Sequence, residues 1–100
     1  MFDLFKNKKK ETIQKYLNDN AQLLDVRTAS EFNSNHIEGS KNIPVQVIDQ
    51  KMKSLDKEKP VIVYCAMGGR SNIAASKLKA NGFKVVNAGG IGSMRKHLKL

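Results

Sequence analysis

The chain has 100 residues, a hydrophobic fraction of 40% and a formal net charge of +9. This length supports one hydrophobic core, and the hydrophobic fraction excludes a disordered chain. No run approaches the roughly 20 apolar residues that cross a bilayer, and the N-terminus, apolar first and basic after, reverses the order of a secretory signal. We therefore expect one domain over residues 1–100, in the cytoplasm, with no membrane partner.

The positive charge is divided among separate clusters. These are Lys6, Lys8, Lys9 and Lys10; Lys51, Lys53, Lys57 and Lys59; and Arg95, Lys96 and Lys99. A basic protein attracts small oxyanions, nucleic acid or acidic partners. The chain has six aromatic residues and no tryptophan, and it lacks the basic stripe interleaved with aromatics that stacks bases. We interpret the clusters as solvated faces and expect no nucleic-acid partner.

The first half of the chain predicts a helix, a strand and a second helix in turn. Apolar spacing indicates a short helix over residues 11–17, and residues 22–26 form a compact strand candidate. Thr28 and Glu31 have the spacing of a capping box, which predicts that a short helix begins there. A turn-rich loop follows, and residues 45–55 are periodic enough to predict a helix.

The clearest strand is "KPVIVYC", which ends at Cys65. It is apolar on both faces, as is typical of a central strand in a covered parallel sheet. Ser71 is placed to cap a helix that runs to about residue 80. The inner stripe of this helix is expected to contain Ile73, Ala74 and Leu78.

The last third of the chain predicts a strand, a turn and a short helix. Residues 83–88 have strand character, residues 89–94 read as a glycine-rich turn, and residues 94–100 as a terminal helix. Strands and helices alternate along the whole chain. This alternation predicts an α/β fold with an open parallel β-sheet flanked by helices on both faces.

The only cysteine, Cys65, lies where the central strand meets the next helix. Ligands bind at this edge of open α/β sheets, and a helix N-terminus presents unpaired N–H groups. Gly68 and Gly69 let several N–H groups point inward, and Arg70 adds a cation. These features predict a lowered thiol pKa and a nucleophilic thiolate. The alternative is that Cys65 is a small buried hydrophobe.

The sequence resembles the small rhodanese-like sulfurtransferases. Cys65, Gly68 and Arg70 match the active-loop pattern Cys-x-x-Gly-x-Arg. Residues 23–44, "LLDVRTASEFNSNHIEGSKNIP", match the Asp-Val-Arg, Glu-Phe, His-Ile-x-Gly and Asn-Ile-Pro elements in order. With the later strand and Gly-Gly pair, the resemblance covers about residues 23–94.

The resemblance implies that Cys65 accepts a sulfane sulfur, becomes a persulfide, and passes the sulfur to cyanide or a thiol. The donor would be thiosulfate, a polysulfide or a protein persulfide. The loop that binds the persulfide would consist of Ala66, Met67, Gly68, Gly69, Arg70 and Ser71. We expect no cofactor and no metal ion. Family members specialised for thiosulfate carry extra positive charge in the loop, whereas Ala66 and Met67 are neutral.

Two other functions share this loop or this fold. A non-catalytic binding module is one, although such modules generally lose the cysteine. A cysteine-based phosphatase or arsenate reductase is the other, but those enzymes place five residues between cysteine and arginine. Four separate Cys65 from Arg70 here. The shorter loop suits one sulfur atom better than a tetrahedral oxyanion.

The remaining polar residues have structural interpretations that we favour over functional ones. Asp25 and Arg27, which follow the first strand, either position Arg70 and meet the donor or form a structural ion pair that braces a loop. His36 is interpreted as part of a structural loop. Met67 is either an apolar wall at the pocket mouth or a gap-filler. Ser71 is interpreted as a helix cap.

Overall fold

Four parallel strands form one sheet with helices on both faces. The computed structural model describes residues 4–100, with side chains from residue 7 onward. The elements are α1 (Leu4–Asn18), β1 (Gln22–Asp25), α2 (Ala29–Ser34), β2 (Lys41–Asn42), α3 (Ile48–Lys51), β3 (Val61–Cys65), α4 (Gly69–Ala80), β4 (Val85–Gly90) and α5 (Ile91–His97). The strand order is β2-β1-β3-β4, and every pairing is parallel. The predicted fold class is confirmed.

Strand β3 lies inside the sheet and contributes side chains to both cores. Because successive side chains point to opposite faces, Val61, Val63 and Cys65 pack in one cluster while Ile62 and Tyr64 pack in the other. All five are buried, which explains the continuous apolar run. Burying each aliphatic side chain stabilises the fold by about 1.5–3 kcal/mol.

The helices divide between the two faces of the sheet. Ala74 and Leu78 of α4 are fully buried against the face that carries Val63. Ile13 of α1 and Met94 of α5 are fully buried against the face that carries Tyr64. The sheet is therefore covered on both sides, and its carboxyl edge is left to the loops.

The first helix is longer than predicted, and the third predicted helix is divided. Helix α1 runs from Leu4 to Asn18 and includes the predicted residues 11–17. Residues 45–54 form two 3₁₀ turns around the single α-turn of α3. Residues 1–3, part of the N-terminal stretch used to argue against a secretory signal, lie outside the described residues. Among residues 4–100, no helix is both long and apolar enough to cross a membrane.

The prediction that Ser71 caps α4 is wrong. Gly68 adopts a φ of +113° and occupies the cap position without a side-chain hydrogen bond, so the helix begins at Gly69. Ser71 lies within the first turn and is fully buried. The cap lies three residues earlier than predicted, and the buried stripe of α4 also differs from the predicted one. Ile73 is 51% exposed, and Ala75 packs against the core in its place.

The predicted glycine-rich turn at residues 89–94 is also wrong. Gly89 and Gly90 pair with β3 as the last residues of β4, and helix α5 begins at once with Ile91. The pairing skips Ala88, so the strand contains a bulge. Asn87 stabilises the bulge because its side-chain oxygen accepts a hydrogen bond from the Gly89 N–H at 2.8 Å. The bulge brings Gly89 and Gly90 level with Tyr64 and Cys65.

Candidate active site

Cys65 ends β3 at the base of a tight loop that leads directly into α4. Its side chain is buried, with 1% of the residue exposed. The backbone N–H of Gly68 donates to the Cys65 Sγ at 2.9 Å, and the Ser71 Oγ lies 3.3 Å from the same sulfur. The loop thus wraps around the sulfur atom, as the sequence predicts for residues 65–71.

The pKa of the Cys65 thiol is lowered by its hydrogen bonds despite its burial. Burial is the largest single influence and raises the pKa. The hydroxyl of Ser71 and the backbone N–H groups of Ser71, Gly68 and Met67 oppose it, and together they outweigh it. These donors favour the charged form, as expected of N–H groups at the start of a helix.

The Ser71 hydroxyl has three acceptors within reach and one proton. Its Oγ lies 3.0 Å from the Gly68 carbonyl oxygen and 3.4 Å from that of Gly89, in addition to the Cys65 sulfur. When the sulfur is a thiol, it donates to Oγ while the hydroxyl donates to Gly68. When the sulfur is an anion, the hydroxyl turns and donates to it. The Ser71 hydroxyl can therefore hydrogen-bond to Cys65 in both charge states, as an acceptor from the thiol and as a donor to the thiolate.

Two glycines of β4 form the floor beneath the loop. A Cβ atom at Gly90 would lie 2.6 Å from the Ala66 carbonyl oxygen, which is closer than real Cβ atoms approach. A Cβ atom at Gly68 would lie 3.5 Å from the Gly89 Cα. No role at the cysteine was predicted for the Gly-Gly pair. The family's strand-then-Gly-Gly element was the available signal.

Arg70 is bound to α2 instead of pointing freely at the cysteine. Its guanidinium makes two hydrogen bonds with Glu31, at 2.6 and 3.0 Å. The hydrogen bond from Arg70, followed by one from the Thr28 backbone N–H, lowers the pKa of Glu31 to about 2. Glu31 in turn raises the pKa of Arg70. Glu31 was identified from the sequence only as a capping residue, a role that it also fills.

Asp25 and Arg27 pair with each other and brace the loop that follows α2. The Arg27 guanidinium donates to both carboxylate oxygens of Asp25 at 2.7–3.0 Å, and both residues are buried. Arg27 also donates to the Asn35 carbonyl oxygen, and the Asn42 amide donates to the carbonyl oxygens of both paired residues at 3.0 Å. Of the two interpretations given for this pair, the geometry supports the structural ion pair.

Met67 and His36 have distinct environments. Met67 lies at the tip of the cysteine loop with 91% of the residue exposed, so the gap-filler interpretation is wrong. His36 is exposed, its ring stacks on Phe32 at a centroid distance of 3.9 Å, and its Nδ1 contacts the Phe32 carbonyl oxygen at 2.8 Å. His36 therefore belongs to the end of α2, in agreement with a structural role.

Comparison with known families identifies the class of protein that this fold and loop define. A model of the rhodanese-like domain matches residues 9–96. The chain belongs to the rhodanese-like domain family. The match extends to both sides of residues 23–94, the part on which the resemblance was based.

Individual relatives agree with this assignment. The uncharacterized protein YqhL of Bacillus subtilis is 44% identical over 62 residues, which cover 62% of this chain and 49% of YqhL, so the chain spans about half of that relative. Thiosulfate sulfurtransferase GlpE of Pseudomonas savastanoi is 37% identical over 82 residues, covering 82% and 77%. The crystal structure of a rhodanese-related protein from Thermoplasma volcanium has a TM-score of 0.72 at 28% identity, covering 90% and 87%.

Proposed function

We propose that the protein is a sulfurtransferase that carries a sulfane sulfur on Cys65. One observation carries the proposal: inside a closed loop the Gly68 N–H donates to the Cys65 sulfur, and the Ser71 Oγ lies 3.3 Å from the same atom. These donors stabilise negative charge on sulfur, and the thiolate is the nucleophilic form. The name of the GlpE relative, thiosulfate sulfurtransferase, supports the same reaction class.

In the first step the Cys65 thiolate attacks the outer sulfur of the donor. With thiosulfate, a bond forms between Sγ and that sulfur, the sulfur–sulfur bond of thiosulfate breaks, and sulfite leaves with the electron pair. The product is a persulfide whose outer sulfur carries the negative charge. Because sulfite is a stable anion, no general acid is required. The N–H groups of Gly68 and Ser71 are already oriented, so they stabilise the charge without reorganisation.

In the second step an acceptor attacks the outer sulfur of the persulfide. Cyanide forms a carbon–sulfur bond and becomes thiocyanate, or a thiolate forms a new persulfide. The bond to Sγ breaks, and Cys65 returns as a thiolate. Splitting the transfer through a covalent intermediate is ordinary nucleophilic catalysis. The chemistry needs a reduced cysteine, which is consistent with the cytoplasm.

The position of Arg70 favours sulfur transfer over phosphate or arsenate chemistry. A phosphate-binding loop uses its arginine as a bidentate clamp on the oxyanion. Here Nη1 and Nη2 of Arg70, which form one edge of its guanidinium, both donate to Glu31. Arg70 therefore fixes the loop to α2, and the anion is left to the backbone N–H groups and Ser71. The same cradle would be of no use to a binding module, which needs no stabilised thiolate.

The test is steady-state turnover of thiosulfate and cyanide, read as thiocyanate formed. We expect turnover by the wild-type chain and none by Cys65→Ser, with the fold of the variant checked by circular dichroism. A folded Cys65→Ser chain that retains full turnover would contradict the proposal. Hydrolysis of a phosphate ester by the wild-type chain, without thiocyanate formation, would replace it with a phosphatase function.

A further inference from the structure

A basic cleft lies between α1 and α5 on the face of the sheet that carries Tyr64. It has a volume of about 890 Å³. Its floor is formed by Ala88 and Gly89 of β4, and its walls by polar side chains of the two helices. The lysines among its lining residues are Lys9, Lys10, Lys96 and Lys99.

The positive charge in this cleft has no acidic partner within the part of the chain that has described side chains. The ion pairs formed there are Arg27–Asp25, Arg70–Glu31 and Lys77–Asp49, and none includes a lysine of the cleft. No carboxylate is among the lining residues described. Burial, and then the charges of Lys10 and Lys9, lower the pKa of His97.

The inner end of the cleft adjoins the cysteine loop. Gly89 lines the cleft, and its carbonyl oxygen is an acceptor for the Ser71 hydroxyl. The backbone of Gly89 also packs against Gly68. A molecule bound in the cleft would therefore lie beside the loop that holds Cys65.

We propose that this cleft docks an acidic segment of the protein that receives sulfur from Cys65. The proposal deepens the proposed function, since it rests on that function for the identity of the partner as a thiol-bearing acceptor. Lys9 and Lys10 on one wall and Lys96 and Lys99 on the other bind its carboxylates. The partner's thiol then approaches the cysteine loop from its Gly89 side.

The chemistry of the lining favours a peptide over a nucleotide or a nucleic acid. Lysine ammonium groups act as point charges on flexible stems, which suits carboxylates spread along a chain. No arginine is among the lining residues described, so the planar fork that grips phosphate is missing there. Sites that stack bases use aromatic side chains, and none is among the lining residues with described side chains.

Binding is tested apart from sulfur chemistry, in the Cys65→Ser chain. The probe is a fluorescent hexaglutamate peptide with one terminal cysteine, and its affinity is read by fluorescence anisotropy. A cleft variant replaces Lys9, Lys10, Lys96 and Lys99 with glutamine. A matched control replaces four lysines that are exposed elsewhere on the surface, namely Lys51, Lys53, Lys59 and Lys84. Both variants lose the same net charge.

We expect the cleft variant to bind the peptide about tenfold more weakly and the control less than about twofold more weakly. Equal weakening in both variants would reduce the effect to net charge and overturn the proposal. Failure of the peptide to bind the Cys65→Ser chain with all of its lysines intact would also overturn the proposal. Displacement of the peptide by a lower concentration of single-stranded oligonucleotide or pyrophosphate would assign the cleft to phosphate-bearing ligands instead.

A second measurement separates this inference from the proposed function. With Cys65 intact and loaded with sulfur, we expect faster transfer to the glutamate peptide than to a matched glutamine peptide, and the cleft variant should abolish the difference. Equal rates for the two peptides would contradict the docking site and leave the sulfurtransferase intact. Peptide binding by a chain that never forms a persulfide would contradict the sulfurtransferase and overturn the assignment of the docked partner as a sulfur acceptor.

Discussion

At the scale of single residues, the reactivity of Cys65 depends on a balance between burial and hydrogen bonding. Burial alone would protect the thiol and raise its pKa, as it does for an ordinary core cysteine. The loop overturns this by directing N–H groups and one hydroxyl at the sulfur, which lowers the pKa. A hydrogen bond to a charged group contributes about 1.5–3 kcal/mol, so the loss of one donor should be measurable.

Replacing Ser71 with alanine removes the hydroxyl that follows the charge on sulfur. We expect the pKa of Cys65 to rise and persulfide formation at neutral pH to slow about tenfold. The pH dependence of iodoacetamide alkylation, read by mass spectrometry, measures the pKa directly. Ser76→Ala, an exposed position on the same helix, is the control. If both variants alkylated with the wild-type pH profile, Ser71 would have no role in stabilising the anion.

Gly90 is predicted to be essential for the loop, although it carries no functional group. In Gly90→Ala the new Cβ meets the Ala66 carbonyl oxygen at 2.6 Å, so the loop must move. Displacement of a reacting group by about 1 Å can cost on the order of a hundredfold in rate, and we expect a loss of that size. Gly92→Ala, where the Cβ meets nothing within 4 Å, should retain activity. Wild-type turnover by Gly90→Ala would show that the loop tolerates the shift.

At the scale of elements, Glu31 joins α2 to the cysteine loop. One carboxylate completes the capping box with Thr28 and also binds Arg70. The pair is about one-third exposed on each side, so solvent reduces its contribution to stability to about 1 kcal/mol. Its main effect is to fix the position of the loop relative to α2.

Replacing Glu31 with glutamine keeps a capping-box side chain but removes the charge. Because the folded pKa of about 2 lies below the ordinary 4.5, the charge stabilises the fold above pH 4.5. That stabilisation is lost as the pH falls towards 2. Urea unfolding should therefore show the wild type about 1 kcal/mol more stable at pH 7, with the difference disappearing between about pH 4.5 and 2. A difference independent of pH would contradict this account of Glu31.

Two apolar residues of helix α4, Ile73 and Leu78, differ in how far they are buried. Leu78 is fully buried, whereas Ile73 is 51% exposed. We expect Leu78→Ala to lower the free energy of unfolding by about 2–5 kcal/mol. Ile73→Ala should change it by about 0.5 kcal/mol or less. Chemical denaturation of both variants measures the two effects, and equal losses would contradict the observed orientation of α4.

The elements that the sequence predicted correctly are those set by local pattern. The apolar run that ends at Cys65 is a buried inner strand, and the spacing of Thr28 and Glu31 is a capping box in the structure. The start of α4 was predicted wrongly because a left-handed glycine can begin a helix without a side-chain cap. Gly89 was predicted to lie in a turn. Its place in β4 depends on a bulge in the pairing with β3, and the sequence alone does not show this pairing.

The candidate site also has a part that the local sequence predicted and a part that it did not. Residues 65–71 were proposed as the site because they are contiguous, and the structure places the Gly68 N–H and the Ser71 Oγ of this segment at the sulfur. The contacts of Arg70 with Glu31 and of Ala66 with Gly90 join residues that are far apart in the chain. Such contacts follow from the packing of α2 and β4 against the loop. They could not be predicted without the fold.

At the scale of the whole molecule, the hydrophobic cores on the two faces of the sheet hold β3 and fix the position of its last residue, Cys65. Clusters on both faces of the sheet bury β3, which fixes Cys65 at the carboxyl edge where parallel sheets bind ligands. The net charge of +9 attracts anions over a distance of about 8–10 Å at moderate salt. A rigid nucleophile and a positive field are together what a carrier of anionic sulfur requires.

The central claim is that Cys65 carries a sulfane sulfur. The measurement that tests it most directly is the intact mass of the reduced protein before and after brief exposure to thiosulfate or polysulfide, with Cys65→Ser in parallel. The account predicts a gain of one sulfur atom that is absent from the variant and is reversed by a thiol. An unchanged mass with both donors, or the same gain in Cys65→Ser, would contradict it.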